Sequence, residues 1–133
     1  MISYDDFKKV EITVGEILSA EKIPDTDKLI KLSVDFGMRK NPSVHQNAPL
    51  PLEKGESEKM QERDIRQIVS GISLYFPDPQ VLVGKRCMFV TNLEPRMIKG
   101  FESNGMLFAV STDEGKFSLL EAQNDIPAGT RAK

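Results

Sequence analysis

The segment from Lys85 to Leu107 reads KRCMFVTNLEPRMIKGFESNGML, two apolar runs joined by a polar connection. Cys87-Met88-Phe89-Val90 has the length and composition of a buried strand, and Met106-Leu107-Phe108-Ala109-Val110 supplies a second. Between them stand Asn92, Pro95, Arg96, Lys99, Gly100, Ser103 and Gly105. Pro95 and the two glycines exclude a long helix and supply turn geometry. The segment carries Lys85, Arg86, Arg96 and Lys99 against Glu94 and Glu102, in a chain of net charge −2. A local reversal of sign on a connection held by two strands is a candidate binding surface.

Working outward, the rest of the chain is also strand-like. Ser3 precedes Asp5 and Asp6, a helix-start pattern. That helix must be short, because Val10, Ile12 and Val14 already alternate at period two. The phase changes after Gly15, which predicts a bulge at that glycine. Pro24 to Asp27 is a turn, and Ile30, Leu32 and Val34 alternate with Lys31, Ser33 and Asp35 to form a second strand paired with the first. Residues 38–63 break the pattern with three prolines and mixed charge, and read as a long inserted loop. Within it, Glu53 to Arg63 fits either a short helix or an extension of the hairpin. Ile65–Ile72 is a third strand, Tyr75–Pro79 a turn, and Gln80–Val83 a single helical turn. Strands over about Arg86–Thr91, Gly105–Ser111 and Phe117–Leu120 follow, with a short C-terminal edge. Many short strands with Gly and Pro punctuation indicate a small all-β barrel.

The 133 residues are enough for one modest core, and 39% hydrophobic with 29% charged residues is ordinary globular composition. No apolar run approaches the roughly 18 residues that span a bilayer. The N-terminus lacks a secretory pattern, and the single Cys87 suits a reducing compartment, so a cytoplasmic protein with no membrane partner is expected. Charge is uneven: residues 1–27 hold seven acids against three lysines, whereas residues 85–100 hold four cations against one acid. Catalytic and metal chemistry finds little support. His45 has no companion ligands, Cys87 has no neighbouring base, and Val83-Gly84-Lys85 lacks the earlier glycine of a phosphate loop. No cofactor or metal is expected.

Asn92 to Met106 carries N-L-x-P-R-x-x-x-G-x-x-S-x-G-M. Asp6–Gly15 (DFKKVEITVG), Asp27–Leu32 (DKLIKL) and Arg66–Ile72 (RQIVSGI) stand before it in that order. Together these blocks resemble the tRNA-binding OB-fold domain family, found as the C-terminal or beta-subunit domain of methionyl-tRNA synthetases and as free-standing structure-specific tRNA-binding proteins. The resemblance covers most of the chain apart from residues 38–63, where the family passes between strands more directly. It implies a five-stranded Greek-key OB barrel with short helices and a C-terminal β extension, one domain over residues 1–133. It also implies a non-catalytic role, tRNA as partner, a homodimer, and association with an aminoacyl-tRNA synthetase.

The candidate tRNA-binding residues follow. Arg96, Lys99, Lys85 and Arg66 would capture phosphate, arginine through its planar fork of donors. Asn92 and Ser103 can bond phosphate or 2′-hydroxyl oxygens. Arg66 and Ser70 share parity on the third strand, beside the face an OB barrel uses for nucleic acid, with Lys31 as a neighbour. Met106 ends the motif. Only Phe89, Phe101 and Phe108 offer aromatic surface there, and Phe89 and Phe108 are expected in the core. This favours recognition of folded shape and backbone over stacked bases. A peptide-binding export chaperone of the same barrel superfamily is the alternative, and it would need an exposed apolar patch.

Overall fold

The computed structural model describes residues 1–38 and 63–133. A four-residue helix α1 (Tyr4–Phe7) opens the chain, capped as expected by Ser3, whose hydroxyl accepts from the Asp6 amide. Strands β1 (Ile12–Lys22), β2 (Ile30–Met38), β3 (Arg63–Ser70) and β4 (Arg86–Val90) follow, with 3-10 turns at Ser73–Tyr75 and Pro79–Leu82. Five shorter strands complete it: β5 (Arg96–Ile98), β6 (Phe101–Ser103), β7 (Met106–Leu107), β8 (Ala109–Ser111) and β9 (Phe117–Leu119).

The main sheet has the order β3-β2-β1-β4-β7, every neighbouring pair antiparallel. It curls until its edges meet. The Asn104 amide, just before β7, donates to the Gln67 carbonyl on β3 at 2.9 Å, and the Val69 amide donates to the Ser103 hydroxyl at 3.0 Å. The result is an all-β, OB-like barrel. Its inside is filled by Ile17, Ala20, Ile30, Leu32, Val34, Phe36, Ile68, Cys87, Phe89 and Leu107, all buried. The inserted loop expected over 38–63 lies outside the described residues except at its ends, where Met38 pairs with Arg63.

Two expectations are corrected. The bulge in β1 is not at Gly15; register slips between Ile17 and Ser19. Gly15 faces inward, and a Cβ there would stand 2.5 Å from Val34 Cγ1 and 2.6 Å from Phe36 Cε1. It is glycine because the opposite strand's side chains occupy its place. Gly15→Ala is therefore expected to cost about 1–3 kcal/mol through overpacking, measured by urea denaturation. The other correction concerns the strand expected at Gly105–Ser111. It is two strands, since the chain leaves β4 for β9 at Phe108, whose amide donates to the Met88 carbonyl.

Cys87 is fully buried, as its apolar setting requires. Burial first, then the Glu121 carboxylate, pushes its thiol up from 9.0 to about 12, with Lys85 opposing. The folded chain thus holds this proton more tightly than the unfolded one. The associated stability is complete below about pH 9 and is lost as pH rises from about 9 to 12. A disulfide reagent at pH 8 should label Cys87 slowly in the native protein and fast in urea.

Candidate nucleic-acid interface

The connection from β4 to β7 holds the β5–β6 hairpin, which the sequence reading treated only as a polar loop. Arg96 pairs with Ser103, Met97 with Glu102 and Ile98 with Phe101. That leaves Lys99-Gly100 as a two-residue turn. Both have positive φ, 51° and 87°, the mark of a type I′ turn. Glycine adopts that conformation freely; lysine does so at a cost of about 1 kcal/mol. Asn would fit position 99 better, so the turn carries a lysine against local preference. The alternation puts Arg96, Ile98, Phe101 and Ser103 on one face, with Met97 and Glu102 on the solvent side.

The candidate residues divide sharply by environment. Arg96 and Lys99 are exposed, and among the described residues neither makes an ion pair. Lys31 joins them from β2: its ammonium lies 4.9 Å from the Phe101 ring centroid. Glu21 stands 3.7 Å away, a partly exposed pair worth well under 1 kcal/mol and no obstacle to a phosphate. Lys31 and Phe101 therefore bring a third cation to the hairpin.

Asn92, Ser103 and Arg66 have other work. Asn92 is exposed, but its Oδ1 accepts from the Glu11 amide at 2.9 Å and its Nδ2 donates to the Lys9 carbonyl at 2.6 Å. It fastens the N-terminal segment to the root of the hairpin. Ser103 is buried at 4% exposure, its hydroxyl taken up by the Val69 amide and directed at the Gly105 carbonyl at 3.4 Å. It closes the barrel and cannot face RNA as expected, because its hydroxyl is buried and already bonded to backbone on both sides. Arg66 shares parity with Ser70, but also with Ile68, which is in the core. Their common face is the interior one. Arg66 lies at the barrel end, where its guanidinium holds both Asp64 oxygens at 3.0 Å and sits 5.2 Å from the Phe36 ring. Ser70 is half-buried opposite Ile30.

Lys85 also stands apart. It precedes β4 while Asn92 follows it, so at about 3.3 Å per residue the two lie roughly 20 Å apart along the strand. Lys85 pairs with Glu121 at 3.4 Å, and Arg86 is held by the Asn124 and Ile126 carbonyls and by Glu16. Met106 is exposed on β7, opposite Val90. Gln67 was overlooked: its side-chain amide donates to the Glu102 carbonyl at 3.0 Å, supporting the hairpin from β3. Its neighbour Arg66 drew attention in the same RQIVSGI block, and a neutral amide gave no signal of its own. Among the described residues no cluster of His, Cys, Asp or Glu suits a metal, and no helix is long and apolar enough to cross a membrane.

Residues 57–131 match the family model described as "Putative tRNA binding domain", an interval that includes β3 and the whole hairpin. The chain is 39% identical over 130 residues to a methionine–tRNA ligase of Caldanaerobacter subterraneus, covering 98% of this chain and 16% of that protein. It is 38% identical over 132 residues to the methionine–tRNA ligase of Methanocaldococcus jannaschii, covering 99% and 16%. The chain thus spans about one sixth of the length of these relatives. Among solved structures, a MetRS related protein from Pyrococcus horikoshii superposes with a TM-score of 0.75 at 35% identity, over 100% of this chain and 98% of that one. The chaperone CsaA of Bacillus anthracis shares the fold at 22% identity, TM-score 0.71, over 100% and 99%. On the match across its C-terminal half and more, the chain belongs to the tRNA-binding domain family.

Proposed function

We propose that this chain is a non-catalytic tRNA-binding module that grips folded tRNA by its backbone through the β5–β6 hairpin, beside a methionyl-tRNA synthetase as a free protein or subunit. Arg96 and Lys99 are the phosphate ligands and Lys31 their neighbour. The observation that carries this reading is the Lys99-Gly100 turn, which holds a cation at an exposed tip in a backbone conformation lysine disfavours. Such local strain concentrates at functional positions. Phe101 is half-buried with Lys31 over its ring, so it offers no open stacking platform, and backbone and shape remain as what is recognised. In a homodimer, as the family resemblance implies, two hairpins would act on one tRNA with the gain of avidity.

Lys99→Asn separates charge from backbone. Asparagine accepts positive φ, so thermal stability should hold or rise, while affinity for bulk tRNA in a gel shift falls several-fold. Unchanged affinity would remove the hairpin tip from the interface. Aggregation suppression without tRNA binding would favour the chaperone alternative.

A further inference from the structure

We propose that Arg66 is a positioning residue for RNA binding, a clamp across the neck of the hairpin-bearing connection, and not a phosphate ligand. This rests on the reading of the hairpin as the tRNA contact. The connection leaves β4 at Thr91 and returns to β7 through Asn104. Arg66 Nη1 donates to the Thr91 carbonyl at 2.6 Å and to the Asn104 carbonyl at 3.4 Å. One nitrogen therefore joins the two ends of the segment that carries Arg96 and Lys99. Nε and Nη2 are spent on the Asp64 oxygens. Four of the five guanidinium donors are thus committed to protein, and no adjacent pair is left to fork onto a phosphate.

The clamp is set in a wider frame. Asp64 fixes the guanidinium from β3 and Phe36 supports its plane. The Thr91 hydroxyl donates to Glu11 Oε1 at 2.6 Å, and Arg131 approaches Glu11 Oε2 at 2.9 Å. The neck is therefore tied to the start of β1 and to the C-terminal segment. Lysine cannot reproduce this: its three donors radiate from one atom and lack the planar span. Loosening the neck would lower the fraction of molecules with the hairpin in its binding position, reducing apparent affinity by that fraction. The bound complex would still make the same phosphate contacts, so the salt dependence would be retained.

Asp64→Asn gives the decisive measurement because the two roles predict opposite signs. Were Arg66 a phosphate ligand, releasing it from Asp64 and removing a negative charge would tighten tRNA binding. As a clamp, Arg66 loses its support, and affinity should fall about three- to tenfold with the slope of log affinity against log salt unchanged. The Asn104 amide should then exchange hydrogen faster while β1–β2 amides do not. Arg66→Lys serves as the second variant, expected to lose affinity similarly although its charge is kept. Tighter or unchanged binding in Asp64→Asn, or full affinity in Arg66→Lys, overturns the proposal. A wild-type protein that binds no tRNA sinks the underlying reading instead, and that failure is visible before any variant is compared.

Discussion

Arg96→Ala combined with Lys99→Ala is expected to weaken bulk tRNA binding roughly thirtyfold or more, by about the same factor for every tRNA species. Each side chain neutralises one phosphate in the proposed complex, and each phosphate contact contributes a released counterion. The slope of log affinity against log salt should therefore become shallower by about 1.4–1.8, two contacts at 0.7–0.9 each. Hydrogen bonds to charged groups are worth about 1.5–3 kcal/mol where water is excluded. These positions are exposed, so about 1 kcal/mol for each, below that range, sets the thirtyfold expectation. The fold itself should be indifferent, since surface substitutions of this kind change stability by about 0.5 kcal/mol or less. A filter-binding titration at four salt concentrations gives both quantities. Unchanged affinity and slope would take the hairpin out of the interface.

Phe89→Ala carries the largest expected stability effect. Phe89 is completely buried on β4, with its ring edge-on to Phe36 at 5.3 Å between centroids. Truncating a buried phenylalanine costs about 3–5 kcal/mol, through lost transfer energy and the cavity left behind. Against a typical total of about 5–15 kcal/mol this is a large share. At roughly 2–4 °C per kcal/mol, the melting temperature should drop by about six to twenty degrees. The damage has a direction. Phe36 supports the Arg66 guanidinium, so losing its aromatic partner loosens the ground beneath the neck of the hairpin. Excess tRNA should then restore part of the lost stability, because binding to the folded state alone stabilises it by mass action. A loss under about 1 kcal/mol would mean that the core closes around the gap.

Much of the fold was legible because period-two alternation survives wherever one face of a strand is buried. Ile30-Leu32-Val34 announced its strand in that way, the run Cys87–Val90 by its unbroken apolar length, and Ser3 with Asp6 announced the helix cap. The β5–β6 hairpin escaped because three-residue strands are too short to show a period. Its turn is Lys-Gly, where Asn-Gly or Asp-Gly would have been conspicuous. Gly15 misled for a different reason: a glycine made necessary by a crowding phenylalanine looks, in sequence, like one made necessary by backbone shape. At the site, exposed Arg96 and Lys99 were identifiable by charge. Asn92, Ser103 and Arg66 were identified as hydrogen-bonding residues, but a side chain that bonds phosphate is equally able to bond its own backbone. The decision between the two lies in which way each points, and a motif does not record that.

The tail of the chain runs back along its beginning. The Gly129 amide donates to the Val14 carbonyl, Thr130 accepts from the Val14 amide, and the Ala132 amide donates to the Ile12 carbonyl. The start of β1 and the C-terminal segment are thus hydrogen-bonded neighbours. A larger protein can carry such a body on one stalk or splice it into a surface loop without prying open either attachment point. A linker joining the two ends of the chain, with new ends cut elsewhere, should leave the barrel intact.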